Sequence, residues 1–188
     1  KAAVHTARFL DFLPDDLHEI QELFTRSFDV QAITTLDIGY VMFGDDYKRG
    51  ELLVNMSREH AEAGNPCGGE LPDYLPNVLR LLPRLKDRDL ARDLARELVF
   101  PAVRKMISEF DPARLQTKKD SYIKHYKTLI DVNETRETLY VHCLNALAEV
   151  LVRDFGLKEE EEVSRPSSDF LRSVAREMEI EASAQGVS

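Results

Sequence analysis

Ile33-Thr34-Thr35-Leu36-Asp37-Ile38-Gly39-Tyr40-Val41-Met42-Phe43 is the stretch on which the fold class turns. Ile33, Thr34, Thr35, Ile38 and Val41 are β-branched and suit a strand, because their stiff side chains pack well on a pleated surface. Ile33, Leu36, Tyr40 and Phe43 nevertheless recur at intervals of three and four, the spacing of one helix face. Gly44 then supplies the residue that leaves a helix most easily. The spacing predicts a helix ending near Gly44, and with it an all-α chain.

Helical periodicity continues on both sides of this stretch, and no Asn-Gly or Asp-Gly hairpin signal interrupts it. Upstream, an apolar segment over 4–13 stops at Pro14. Pro14-Asp15-Asp16 then opens a helix whose inward stripe is Leu17, Ile20, Phe24 and Phe28. Downstream, a helix over 46–63 turns Leu52, Leu53 and Met56 inward, until Gly64-Asn65-Pro66-Cys67-Gly68-Gly69 forces a loop. The next helix, 71–85, carries Leu75, Val78, Leu79 and Leu82. Residues 87–110 carry Leu90, Leu94, Leu98 and Met106, with a kink or break at Pro101. Asp89 with Arg92, and Asp93 with Arg96, read as solvent-side pairs. Helices over 121–130 (Tyr122, Tyr126, Leu129) and 134–154 (Leu139, Cys143, Leu147, Val150) complete the series. The expectation is a single-domain bundle of seven or eight helices over 1–156. An acidic linker and a candidate C-terminal helix with Phe170, Leu171, Val174 and Met178 follow over 157–188.

At 188 residues the chain has the length of one domain, and 43% hydrophobic with 31% charged residues is a globular balance. Lys and Arg total 25 against 34 Asp and Glu, a net charge of −9. That sign disfavours nucleic acid and anionic membranes, which are bound through clustered Lys and Arg, and favours cationic partners. No apolar run approaches the roughly 20 residues of a membrane span. Residues 1–13 lack the long apolar stretch and cleavage site of a secretory signal, and the two cysteines, Cys67 and Cys143, form no disulfide framework, so a cytoplasmic location is expected.

Familiar catalytic motifs do not occur. The sequence has no phosphate-cradling Gly-x-x-x-x-Gly-Lys-Ser/Thr or Gly-x-Gly-x-x-Gly, no Gly-x-Ser-x-Gly elbow and no His-Glu-x-x-His pair. His60, Cys67, His142 and Cys143 lack the regular spacing of a zinc module. The expectation is therefore a non-enzyme without metal or cofactor.

Two segments are denser than a plain bundle requires. One is Tyr40-Val41-Met42-Phe43-Gly44-Asp45-Asp46-Tyr47-Lys48-Arg49-Gly50, and the other is Glu70-Leu71-Pro72-Asp73-Tyr74-Leu75-Pro76. Both combine turns, acids and aromatics. Asp45 and Asp46 also read as helix caps, and Asp73 as another.

With Phe24 and Phe28-Asp29 upstream, Gly44-Asp45, Arg49-Gly50 and the Glu70–Pro76 motif resemble, in order and spacing, the NarJ branch of the NarJ/TorD/DmsD family of molybdoenzyme maturation chaperones. The TorD-like branch tends to have His where this chain has Tyr74. Departures occur at Phe43, where His is frequent, and at Asp46-Tyr47, where Ser or Thr followed by Arg is common. The resemblance implies an all-α cytoplasmic chaperone that binds the N-terminal, twin-arginine-like segment of a molybdopterin-containing catalytic subunit, a nitrate reductase by default. It also implies that the chaperone holds this client until the cofactor is inserted. The client-binding candidates carried over are Tyr40, Phe43, Asp45, Arg49, Gly50, Glu70, Pro72, Asp73, Tyr74 and Pro76.

The residues themselves suit such a ligand. Asp45, Asp46, Glu70 and Asp73 could meet guanidinium groups, while Tyr40, Phe43, Tyr74 and Leu79 could line an apolar groove. A permanent small subunit of an oxidoreductase is the other reading. A monomer or weak dimer is expected.

Overall fold

The structure, a computed structural model, describes residues 1–126 and 138–157, with 122–126 as backbone only. Its helices are α1 (Ala2–Phe12), α2 (Leu17–Phe28), α3 (Ile38–Phe43), α4 (Tyr47–Glu62), α5 (Leu75–Leu81), α6 (Arg88–Leu94), α7 (Phe100–Glu109), α8 (Pro112–Tyr126) and α9 (Leu139–Phe155). A 3-10 turn, Leu82–Arg84, prolongs α5, and a π-helical segment, Ala95–Val99, joins α6 to α7 without a break. These make eight helical rods among the described residues, and the chain is all-α as expected.

Aspartates cap half of these rods. Asp16, Asp46, Asp87 and Asp111 each accept from a backbone N–H in the first turn of α2, α4, α6 and α8, satisfying donors that have no partner within the helix. The expected helix over 121–130 therefore begins earlier, at Pro112. Asp111-Pro112 is a start signal, cap followed by a proline with preset φ. Residues 127–137, including Leu129 and the first turn expected at 134, lie outside the described residues, as do 158–188 with Phe170, Leu171, Val174 and Met178.

Four other expectations change. The helix expected across the opening stretch occupies only Ile38–Phe43, and Asp37 lies in extended backbone that pairs with Tyr74 in an isolated antiparallel bridge. Gly44 ends it at φ +62°. The helix expected from 71 starts at Leu75, since Leu71 and Leu75 each precede a proline, a position that disfavours helical geometry within a rod. Pro101 breaks nothing: the π segment precedes it, with the Phe100 N–H bonded five residues back to the Ala95 carbonyl. That register shift takes up the donor the proline lacks. Asp93 is buried rather than solvent-side, and Arg96 bonds it at 3.3 Å and Glu97 at 2.7 Å.

The described residues divide into two compact units, those within 1–36 and 103–150 and those within 37–102 and 151–157. In the first, Phe24 and Phe28 of α2 meet Tyr140 of α9 at ring-centroid distances of 5.8 and 5.2 Å, and Phe9 of α1 meets it at 5.7 Å. This aromatic cluster replaces the expected α2 stripe in part, because Leu17, at the first helical position, is 64% exposed and Phe24 39%. On α9 the buried residues are Leu139, Leu144, Ala148 and Leu151, so past Leu139 the inward register is one residue off the expected Cys143, Leu147 and Val150.

In the second unit α3 packs on α4 and on the π segment, and the 3-10 turn packs on α6. Ile38, Leu52, Met56, Val78, Leu81, Leu94, Leu98 and Val99 form its core. Leu52, Met56, Leu75, Val78, Leu82, Leu94, Leu98 and Met106 are buried as the spacing predicts, while Leu53, Leu79 and Leu90 are half-buried.

Candidate functional site

The second unit brings four of the expected residues, Tyr40, Arg49, Asp73 and Tyr74, to one place. Arg49, three residues past the Asp46 cap, is on the inner side of α4. Its Nε donates to Asp73 Oδ2 and its Nη2 to Asp37 Oδ2, both at 3.1 Å. Its guanidinium carbon stands 5.3 Å from the centre of the Tyr40 ring, within cation–π range. The Ile38 N–H bonds the Asp73 carbonyl at 3.0 Å, and the Asp37–Tyr74 bridge closes the frame.

Asp73 is fully buried, and one carboxylate oxygen, Oδ1, has no hydrogen-bond partner. Asp73 is therefore not a surface acid awaiting a ligand, and its cation is Arg49 of the same chain. Gly39 is the reason the acid fits. A Cβ there would stand 2.5 Å from Asp73 Oδ2 and 2.8 Å from Leu52 Cδ2.

Arg49 does not return its neighbours to ordinary titration. The Asp37 carboxyl is pushed up by burial and by the Asp73 charge, and the opposing pull of Arg49 does not cancel them. The Tyr74 phenol is also raised, by burial and then by Glu70 and Asp37. Glu70 is exposed, Asp37 and Tyr74 are half-buried, and Tyr40 is 43% exposed. An acidic, aromatic-lined surface results, suited to a guanidinium or ammonium group.

A buried polar network holds the arm that carries Asp73 and Tyr74. His60 Nε2 lies 2.9 Å from the Pro72 carbonyl, and Asn65 Nδ2 lies 2.9 Å from His60 Nδ1. The Asn65 amide nitrogen can only donate, so Nδ1 is the acceptor of this pair and Nε2 faces the Pro72 carbonyl as donor. Asn77 Nδ2 donates to the Leu71 and Cys67 carbonyls, and Arg84 and Arg80 donate to the Asn65 and Asn77 side-chain oxygens.

The remaining expected residues sit apart from this cluster or serve the fold. Asp46 caps α4, Asp45 is exposed, and Phe43 is half-buried at the end of α3. Gly50 lies on the outer side of α4, Pro76 is exposed in the first turn of α5, and Leu79 is half-buried. Pro72 contributes its carbonyl to His60.

Sequence reasoning missed Asp37, Gly39, His60, Asn65 and Asn77. Asp37 before a helical run has the character of a cap, and Asn77 between buried Leu75 and Val78 is a polar residue in apolar company. Among the described residues no group of three or more His, Cys, Asp or Glu side chains is placed to hold a metal ion, and no helix is long and apolar enough to cross a membrane. Burial raises the thiols of Cys67 and Cys143, the opposite of a nucleophile's requirement.

Compared with protein-family models, curated proteins and solved structures, the chain matches none of them.

Proposed function

We propose that this protein is a cytoplasmic chaperone of the kind its Gly44–Gly50 and Glu70–Pro76 segments resemble. It binds the arginine-bearing N-terminal segment of a molybdopterin-containing catalytic subunit, such as a nitrate reductase, and assists cofactor insertion and assembly. The supporting observation is geometric: Arg49, held by Asp37 and Asp73 at 3.1 Å, stands beside the Tyr40 ring and the Asp37–Tyr74 bridge, and the exposed Glu70 adds negative charge at a Tyr74 phenol that burial already raises. A cationic peptide is the ligand such a surface attracts, with Tyr40 and Tyr74 as flat walls for a guanidinium.

The division of labour differs from a simple ring of acids. Glu70 meets the ligand, while Asp37, Asp73 and Arg49 hold the two segments together beneath it. The test is calorimetric titration with the arginine-bearing N-terminal peptide of a molybdopterin-containing catalytic subunit from the same genome. Glu70→Lys should weaken binding about tenfold, the effect of roughly 1.4 kcal/mol, with an unchanged circular dichroism spectrum. Absence of binding to that peptide, or equal affinity for the Glu70→Lys variant, would reject the reading.

A further inference from the structure

The outer side of α4 carries a feature that peptide binding does not use. Tyr47, Gly50, Val54, Ser57 and Ala61 follow one another at intervals of three and four, the seam spacing of a coiled coil, and all five are exposed. Tyr47 at 70% and Val54 at 71% are the most exposed large hydrophobic residues of the described chain. Between them Gly50 weakens an exposed helix interior, and a Cβ at that position would have nothing within 4 Å. No neighbour among the described residues requires a glycine there, whereas a second backbone coming close would.

We propose that this seam is a self-association surface, on which a second copy of the chain lays its own α4 antiparallel. The edge charges favour this occupant. Glu51 and Arg58, both exposed, hold the same edge position one heptad apart and are opposite in sign. An antiparallel pair with its two-fold axis between positions 55 and 56 brings Glu51 to within two residues of level with Arg58 of the second copy along the same edge, and Arg58 likewise to its Glu51. The same register places Gly50 against Ala61, Val54 against Ser57, and Tyr47 over Gly64, so that no layer sets two large residues against each other. A parallel pair would set Tyr47 on Tyr47 and Gly50 on Gly50, and would lose both charge pairings. Arg58 holds only exposed contacts within its own chain, to Asn55 at 3.1 Å and Glu59 at 3.6 Å, which cost little to exchange. The surface is isologous and small, so the dimer is weak and concentration-dependent.

Sedimentation velocity on the full chain, from micromolar to millimolar concentration, tests the proposal. The mass should rise from one chain towards two. Glu51→Arg should return the protein to monomer, although it lowers the net charge from −9 to −9 + 2 = −7 and so reduces general repulsion. Combining it with Arg58→Glu restores both the net charge and the pairing, and should restore the dimer. Gly50→Leu should abolish association while circular dichroism shows the helix content retained. A wild-type chain that stays monomeric throughout, a dimer indifferent to Glu51→Arg, or a double variant that fails to recover would each overturn it.

Discussion

Arg49 uses two different nitrogens for two different carboxylates, and one of those carboxylates is fully buried. Removing the arginine would leave Asp73 charged and uncompensated, so Arg49→Ala should cost about 3 kcal/mol in urea denaturation. Arg49→Lys should recover only part of that loss, because an ammonium lacks the fork that reaches Asp37 and Asp73 together. Gly39→Ala tests the same spot by shape. With 2.5 Å available to Asp73 Oδ2, the added methyl must displace the carboxylate, and a loss of about 2 kcal/mol is expected in the same measurement. The family resemblance marked Arg49, Asp73, Tyr40 and Tyr74 as special, while their chemistry assigned Asp73 to an outside cation. Its burial depends on a residue 24 positions away, and no local pattern encodes such a distance.

At the scale of elements, α1 buries no side chain and rests on α9 through Phe9 against Tyr140 and His5 beside His142, their ring centroids 6.1 Å apart. His142 stays neutral to lower pH than an ordinary histidine, because burial and then the neighbouring His5 and Arg8 oppose its charge. The unfolded chain therefore takes up this proton first. The contribution to stability is complete above about pH 6.5 and falls as pH drops through that value. Thermal melts between about pH 7 and about pH 5 should show Tm decreasing, and His142→Gln should flatten that decrease. Equal slopes for the two proteins would remove His142 from the account. Helix existence was legible in most places because apolar spacing and aspartate caps agree. Boundaries near prolines were not, since Pro72 and Pro76 tolerate either a first turn or a preceding loop. Only the pairing of Asp37 with Tyr74 decides between them.

At the scale of the whole molecule, the charge of −9 acts over distances that no single side chain spans. For a cationic ligand this field speeds encounter more than it tightens the final complex. Stopped-flow binding of the arginine-bearing peptide should show an association rate that falls steeply as salt rises from about 0.05 to 0.5 M, with the dissociation rate changing far less. A salt-independent association rate would remove the long-range field from the mechanism. The all-α class followed from periodicity, and the acidic character of the site from composition and two short motifs. The inward register of α9 and the polar network around Asn65 did not follow, because both depend on which surfaces meet.

That network has a consequence for how the 64–72 segment would respond to two chemical probes. Side chains from His60, Asn77, Arg80 and Arg84 reach the carbonyl oxygens of Gly64, Pro66, Cys67, Leu71 and Pro72. These bonds fasten the segment by its acceptors; of its amides, those of Gly64, Asn65 and Glu70 donate to backbone carbonyls, whereas those of Cys67, Gly68, Gly69 and Leu71 have no backbone acceptor among the described residues. A protease needs the chain to peel away, while deuterium needs only water at a free N–H, so a segment fixed in this way would resist cleavage while its Cys67, Gly68, Gly69 and Leu71 amides still exchange quickly.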